Sequence, residues 1–248
     1  MKVVSIIQAR VRSARLPWKV LLPFDGIISM IEIIMDRLIK NSRNMEIILA
    51  TSTSEEDRAL CRVAANMGVG YFRGPENDVL DRFIQATEED SFEYIVRICA
   101  DNPFLDVGGT FDLVNFLDEK PYDYIGYQLS GGVPSIKSHH GLWGEVVSLE
   151  SLKKTKEATI NKSFFEHVTN FVYSQPDMFK IKWVNAPDVV FGRSDIRLTL
   201  DDETDFNVCR EIYLRMKEEG TVLNPGNIVR FLDKNKPYLS IMKNQIKK

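Results

Sequence analysis

Apolar residues follow two rhythms along this chain. In VVSIIQ (3–8), EIILAT (46–51) and YIVRIC (94–99) they form short, nearly continuous runs rich in β-branched side chains, the pattern of strands covered on both faces. Between these runs they recur at helical spacing. The segment ISMIEIIMDRLIKN (28–41) keeps Glu32, Asp36 and Lys40 to one side. The Ser and Thr residues at 51–54 are placed to cap a helix that begins at Glu55, reaches about Met67 and stops at Gly68. VGYFR (69–73) reads as a strand edge and 78–90 as a further helix. Three strand-then-helix units in the first hundred residues predict an α/β fold with a mostly parallel, doubly wound sheet.

The second half is less regular. Strands are expected at 123–129, 142–149, 180–185 and 196–200, and helices at about 149–158, 163–174, 204–219 and 224–234, with the tail KNQIKK in solvent. A polar loop, SGGVPSIKSHHG (130–141), separates the first two of these strands. No repeat, low-complexity tract or linker interrupts the 248 residues. One domain over 1–248, with a smaller irregular subregion at about 123–195, is the economical reading.

Composition narrows the partners. The chain has 44% hydrophobic residues and balances 32 Lys and Arg against 35 Asp and Glu, a net charge of -3. A chain of this size buries a proper core, and near-neutrality argues against a long nucleic-acid backbone or a membrane surface as partner. There is no apolar run of 18 residues and no ordered signal peptide, while Cys61, Cys99 and Cys209 are odd in number and far apart. A soluble cytoplasmic protein without a disulfide framework or zinc site is expected. The neutral total conceals one local excess, however: five of the cations fall within the first 19 residues.

Ligands of open α/β sheets bind beyond the carboxyl ends of the strands. The loop after the first strand, QARVRSARLPWK (8–19), crowds Arg10, Arg12, Arg15 and Lys19 around Ser13 with nothing acidic between them, which suits a compact polyanion such as a nucleoside triphosphate. Asp101 follows YIVRIC directly and precedes Asn102-Pro103, and Asp201 and Asp202 follow IRLTL (196–200). Carboxylates from two strand ends can share a hard cation such as Mg²⁺, although Asp is also common at such positions for local capping reasons. GxxxxGK[ST], GxGxxG, HExxH and GxSxG are all absent. His167, at helical spacing in FFEHVTNF, reads as a structural histidine, whereas His139 and His140 stand in a polar loop where a pocket-facing role and simple exposure are equally open.

Six segments in fixed order carry a resemblance. QARVRSARLPWKVLLP is similar to the RxGSxRLPxK signature of the cytidylyltransferases that activate acidic sugars, the CMP-KDO and CMP-sialic acid synthetases. ATSTSEED (50–57), RGPENDVLDR (73–82), VRICADNPFLD (96–106), EHVT (166–169) and RLTLDDETDF (197–206) most resemble the spore-coat polysaccharide biosynthesis protein F branch of that family. The resemblance implies a nucleotide-diphospho-sugar transferase fold and Mg²⁺-dependent synthesis of a CMP-sugar from CTP and an acidic sugar, with release of pyrophosphate. It implies a surface or spore-coat polysaccharide pathway, and a homodimer as in many such enzymes.

Carried over by position, Arg10, Arg15 and Lys19 would hold the triphosphate and the backbone at Ala9 and Arg10 would approach cytosine. Asp101 and Asp201 would bind Mg²⁺, and Arg73, Asp81 and Arg82 would line the nucleotide pocket. HHGLWG (139–144) is similar to an HxGxxG stretch of the KDO-specific members, which would bring His139 toward the sugar. The chain departs from the pattern where Arg12 and Trp18 replace glycines and where FDGIISM (24–30) replaces a GGKP-like turn. Two other readings remain: a glycosyltransferase on a similar fold, against which AspAsnPro at 101–103 stands in place of DxD, and a non-catalytic nucleotide-binding relative.

Overall fold

The computed structural model describes residues 1–88 and 91–247. In chain order its strands are β1 (Val3–Gln8), β2 (Pro23–Asp25), β3 (Ile28–Ser29), β4 (Glu46–Ser52), β5 (Gly70–Gly74), β6 (Tyr94–Cys99), β7 (Tyr124–Leu129), β8 (Val133–Pro134), β9 (Glu145–Ser148) and β10 (Ile181–Asn185). β2 and β3 form a separate hairpin. The others make one sheet in the order β10-β7-β9-β6-β1-β4-β5, with β8 appended to β7. β9 runs against β6 and β7, β8 runs against β7, and the remaining pairs are parallel. The architecture is thus the expected α/β fold with a mostly parallel sheet.

Period-two geometry explains why the strands are apolar throughout. Tyr94, Val96 and Ile98 of β6 enter the layer that holds Met30, Ile31 and Ile34 of helix Met30–Asn41. Ile95, one position out of step, joins the opposite layer with Leu80 and Phe83 of helix Val79–Gln85 and Leu152 of helix Leu149–Ala158. Arg97 lies on that same face at the carboxyl end of β6, a charge inside an apolar strand.

Several boundaries differ from the sequence reading. The helix expected from Glu55 spans Arg58–Asn66, because Asp57 at its N-cap turns its carboxylate to other amides. The expected helix 163–174 is two short ones, Lys162–Glu166 and Asn170–Ser174, separated at His167–Thr169. Helix Val79–Gln85 ends early, with the Thr87 hydroxyl bonded to the carbonyls of Phe83 and Ile84, and positions 89 and 90 of the expected 78–90 helix lie outside the described residues. β9 begins at Glu145 because the preceding chain turns away at Gly141, whose φ is 58°.

IRLTL is not a strand. Its apolar side chains are buried as their alternation demands, but the amides of Leu198 and Thr199 bond the carbonyl of His139 and that of Leu200 bonds the carbonyl of Asp101. Two loops, not a neighbouring strand, satisfy this backbone. A last helix that the sequence pattern did not mark, Lys236–Ile246, buries Tyr238, Leu239 and Met242. In the tail from 243 on, Lys243, Asn244 and Lys247 are exposed as expected, whereas Gln245 is buried and donates to Asp202. No helix among the described residues is long and apolar enough to cross a membrane.

The packing of the last helix generates a test. Met242→Ala removes a side chain that is 2% exposed and should cost about 2–5 kcal/mol in urea unfolding. Lys243→Ala, on the solvent side, should stay within about 0.5 kcal/mol.

Candidate active site at the carboxyl end of the sheet

The basic loop owes its shape to one buried carboxylate. Asp57 is 1% exposed and accepts hydrogen bonds from the Val11 amide (2.8 Å), the Ser52 amide (3.1 Å) and the Ser52 hydroxyl. It therefore ties the chain leaving β1 to the chain leaving β4. The loop then closes on itself where the Trp18 amide donates to the Val11 carbonyl at 2.8 Å. Trp18 has φ 63°, so the position filled by glycine in the family pattern keeps its left-handed backbone with an indole in place, at a cost of about 1–2 kcal/mol.

The segment 196–200 delivers the acidic side. Its amides fasten it to the loops at His139 and Asp101, and Lys19 completes the seam by donating to the Leu200 carbonyl and lying 3.3 Å from Asp101 Oδ2. Arg15 Nη2 reaches Asp201 Oδ1 at 2.6 Å, and Arg197 Nη2 takes the other oxygen at 2.7 Å. Arg15, Lys19, Asp101 and Asp201, from three separated segments, thus meet at one end of the sheet.

Arg197 anchors this corner. Only 6% exposed, it grips Asp205 through Nε and Nη2, both at 2.8 Å, and its Nη1 lies 2.7 Å from His139 Nδ1. A guanidinium only donates, so His139 Nδ1 accepts and its ring proton resides on Nε2. Burial, and then the charge of Arg197, push the His139 imidazole below its usual range, which keeps it neutral.

A cavity of about 810 Å³ opens over these groups, roomy enough for a nucleotide and part of a second ligand. Ala9, Arg10, Arg12, Ser13, Arg82 and His139 line it, together with the four residues above. The absence of acids within the loop sequence does not survive folding. Arg10 pairs with Glu166 at 3.4 Å, and Arg12 with Glu56 at 2.9 Å and Glu76 at 3.7 Å. The Ser54 hydroxyl, with Arg12, holds the Glu56 carboxyl down at about 2. Arg82 is buried and donates to the carbonyls of Pro75 and Glu76.

Three expected residues fall outside the lining. Arg73 spends its guanidinium on the carbonyls of Ser52, Thr53 and Ser54, bracing the loop after β4. Asp81 pairs with Lys156 and accepts from Gln85. His140 is buried, with Nδ1 2.8 Å from the Ser138 hydroxyl, because the turn at Gly141 directs it inward while His139 faces the cavity. His167, read as structural, is instead exposed at the end of helix Lys162–Glu166 and lines the cavity.

The sequence reading missed the polar floor. Arg97 and Glu145 form a buried pair at 2.7 Å, and the arginine also donates to Gln8 Oε1 while Glu145 accepts from Tyr124 and Thr169. The isolated charge in YIVRIC and the threonine of EHVT were its available signals.

Asp101 and Asp201 suit a hard divalent cation: both offer only oxygen, both face the cavity, and both already attract cationic side chains. Among the described residues no group of three or more His, Cys, Asp or Glu side chains could hold a metal, so water and ligand oxygens would complete its shell.

Residues 4–224 match the family model described as cytidylyltransferase, and the chain belongs to that family of nucleotidyltransferases that use CTP. It is 36% identical over 98% of its length to protein MJ1063 of Methanocaldococcus jannaschii, of which it covers 96%. It is 29% identical over 94% of its length to the spore coat polysaccharide biosynthesis protein SpsF of Bacillus subtilis, covering 95% of that protein. Among solved structures, a cytidylyltransferase from Leptospira borgpetersenii superposes with a TM-score of 0.81 at 26% identity, over 99% of this chain and 98% of that one. A CMP-2-keto-3-deoxy-manno-octonic acid synthetase complexed with CTP shares the fold, with a TM-score of 0.65 at 14% identity over 87% of this chain and 99% of that one.

Two outcomes are expected. Asp57→Ala should lower stability by about 1.5–3 kcal/mol, since it strands the Val11 and Ser52 amides, and should speed hydrogen exchange at Val11. Burial pushes the His140 imidazole down to about 4. The unfolded chain takes up that proton near pH 6.5, so the native state should lose about 3 kcal/mol as the pH falls from about 6.5 to about 4. Urea unfolding across this window should show a shallower loss in His140→Gln.

Proposed function

We propose that this cytidylyltransferase transfers the cytidylyl group of CTP to an acidic sugar, with Mg²⁺, in the synthesis of a polysaccharide precursor. The observation that carries the reading is the convergence of Arg15, Lys19, Asp101 and Asp201 in the lining of one cavity. In the reaction a sugar hydroxyl oxygen bonds to the α-phosphorus, the bond from that phosphorus to the β-phosphate oxygen breaks, and pyrophosphate leaves with the negative charge. The hydroxyl proton passes to solvent.

Each residue has a task in such a step. Arg15 and Lys19 hold the β- and γ-phosphates and offset the charge that builds on the leaving group. The backbone at Ala9 and Arg10, fixed through Asp57, forms the near wall for the base. Asp101 and Asp201 would hold Mg²⁺, which lowers the proton affinity of a bound oxygen and draws charge from the phosphates. The pairs with Lys19 and Arg15 set these carboxylates in place, and orientation is the larger part of the catalysis. His139, neutral and held by Arg197, presents Nε2–H as a donor toward the acceptor sugar. The Bacillus relative is named for spore-coat polysaccharide synthesis, which supports the polysaccharide role, and the octonic acid synthetase is named for an acid sugar, which supports the substrate class. A cytoplasmic location and a homodimer accord with this role.

The test is pyrophosphate release from CTP and Mg²⁺ with a panel of acid sugars. At least one sugar should give turnover, and Lys19→Ala and Asp101→Asn should each lower kcat/KM by about 10²–10³ with the fold retained. Turnover from no member, or sugar transfer from a nucleotide-sugar without pyrophosphate, would contradict the reading.

A further inference from the structure

Seven Lys and Arg side chains line the cavity, and six of them have obvious electrostatic employment. Arg10, Arg12, Arg15, Lys19 and Arg97 each face a carboxylate, and Arg82 donates to two carbonyls. Lys137 is different. Among the described residues it has no carboxylate or carbonyl partner, and its ammonium rests over the ring of Tyr173, 5.2 Å from the centroid.

That perch is built, and it is far from the basic loop in sequence. The Tyr173 ring packs 5.3 Å from Tyr124 and 6.0 Å from Trp183, so the core holds the surface on which the cation sits. The backbone beneath Lys137 is fixed on both sides: β8 pairs with β7, and the amide and hydroxyl of Ser138 both donate to the Ser135 carbonyl. The cation therefore belongs to the wall formed by the irregular subregion, whereas the four groups assigned to the triphosphate and metal come from the loops after β1 and β6 and from the residue that follows segment 196–200.

We propose that Lys137 receives the anionic group of the acceptor substrate, which makes that substrate an acid and excludes its neutral counterpart. The inference rests on the reading that CTP occupies the end of the cavity at Arg15 and Lys19. The Tyr173 ring holds the ammonium in place by attraction to its face and leaves its N–H donors free, so an incoming carboxylate or phosphate gains a charge-assisted hydrogen bond. Removing one such bond corresponds to about a ten- to a hundredfold loss of affinity. A lysine suits either anion, because it acts as a point charge and imposes no bidentate geometry.

Calorimetric titration tests this on the full chain, saturated with Mg²⁺ and α,β-methylene-CTP so that nothing reacts. One arm compares N-acetylneuraminate and 3-deoxy-manno-octulosonate with their methyl esters; the other compares hexose 1-phosphates with the free hexoses. In one arm the wild type should prefer the anion at least tenfold, Lys137→Gln should erase that preference, and Lys137→Arg should keep most of it. Nucleotide affinity should be the same in all three proteins. Preference in the carboxylate arm supports the acid-sugar reading as well, while preference confined to the phosphate arm supports the role of Lys137 and contradicts the acid sugar. An anion preference that survives in Lys137→Gln, no preference in either arm, or a loss of nucleotide affinity in Lys137→Gln would overturn the inference.

Discussion

The cleft depends on a single buried guanidinium. Arg197 joins Asp205 at the start of helix Glu203–Glu218, Asp201 at the cavity and His139 on the opposite loop. A buried charge needs every donor engaged, and removal of one member of such a cluster strands the rest at a cost of about 3–5 kcal/mol. The segment 196–200 is consequently held where its amides stitch the loops at 101 and 139 together and its last carbonyl accepts from Lys19. Without this corner Asp101, Asp201 and His139 would have no common frame.

The charge arrangement has a second property. The cations of the basic loop face carboxylates that come from other segments: Arg10 faces Glu166, Arg12 faces Glu56 and Glu76, Arg15 faces Asp201 and Lys19 faces Asp101. These pairs relieve the mutual repulsion along residues 10–19. On the proposed function, a triphosphate and a divalent cation bring the same two signs of charge, so the phosphates can take the place of the carboxylates opposite the cations and the metal can take the place of the cations opposite the carboxylates. A molecule near overall neutrality can hold a compact polyanion in this way.

Much of this was legible in the sequence, because the parallel strands are buried on both faces and leave uninterrupted β-branched runs. β1, β4, β6 and helix Leu149–Ala158 stand where those runs place them. The failures arise where long-range partners override local pattern. IRLTL has strand-like alternation, but loop carbonyls took its amides. Helix Lys236–Ile246 went unmarked because it carries only a short apolar face, Tyr238, Leu239 and Met242, which packs against the core, while Lys243 and Lys247 stay in solvent. In the site, Arg15, Lys19, Asp101 and Asp201 converge as their positions at chain-segment ends suggested. Arg73, Asp81 and His140 do not join them: a motif marks which residues share a segment, while the direction of each side chain is set by carbonyls and charges from elsewhere. The acids that face Arg10 and Arg12, at Glu166, Glu56 and Glu76, were invisible for the same reason.

The central claim is that the paired charges at the carboxyl end of the sheet form a site for CTP. The most direct measurement is equilibrium binding of the four ribonucleoside triphosphates in the presence of Mg²⁺, with wild-type protein and Arg15→Ala. Binding should be tightest for CTP and should weaken about ten- to a hundredfold in the variant, the worth of one charge-assisted contact to phosphate. Equal affinity for all four nucleotides, or CTP binding untouched in Arg15→Ala, would contradict the account.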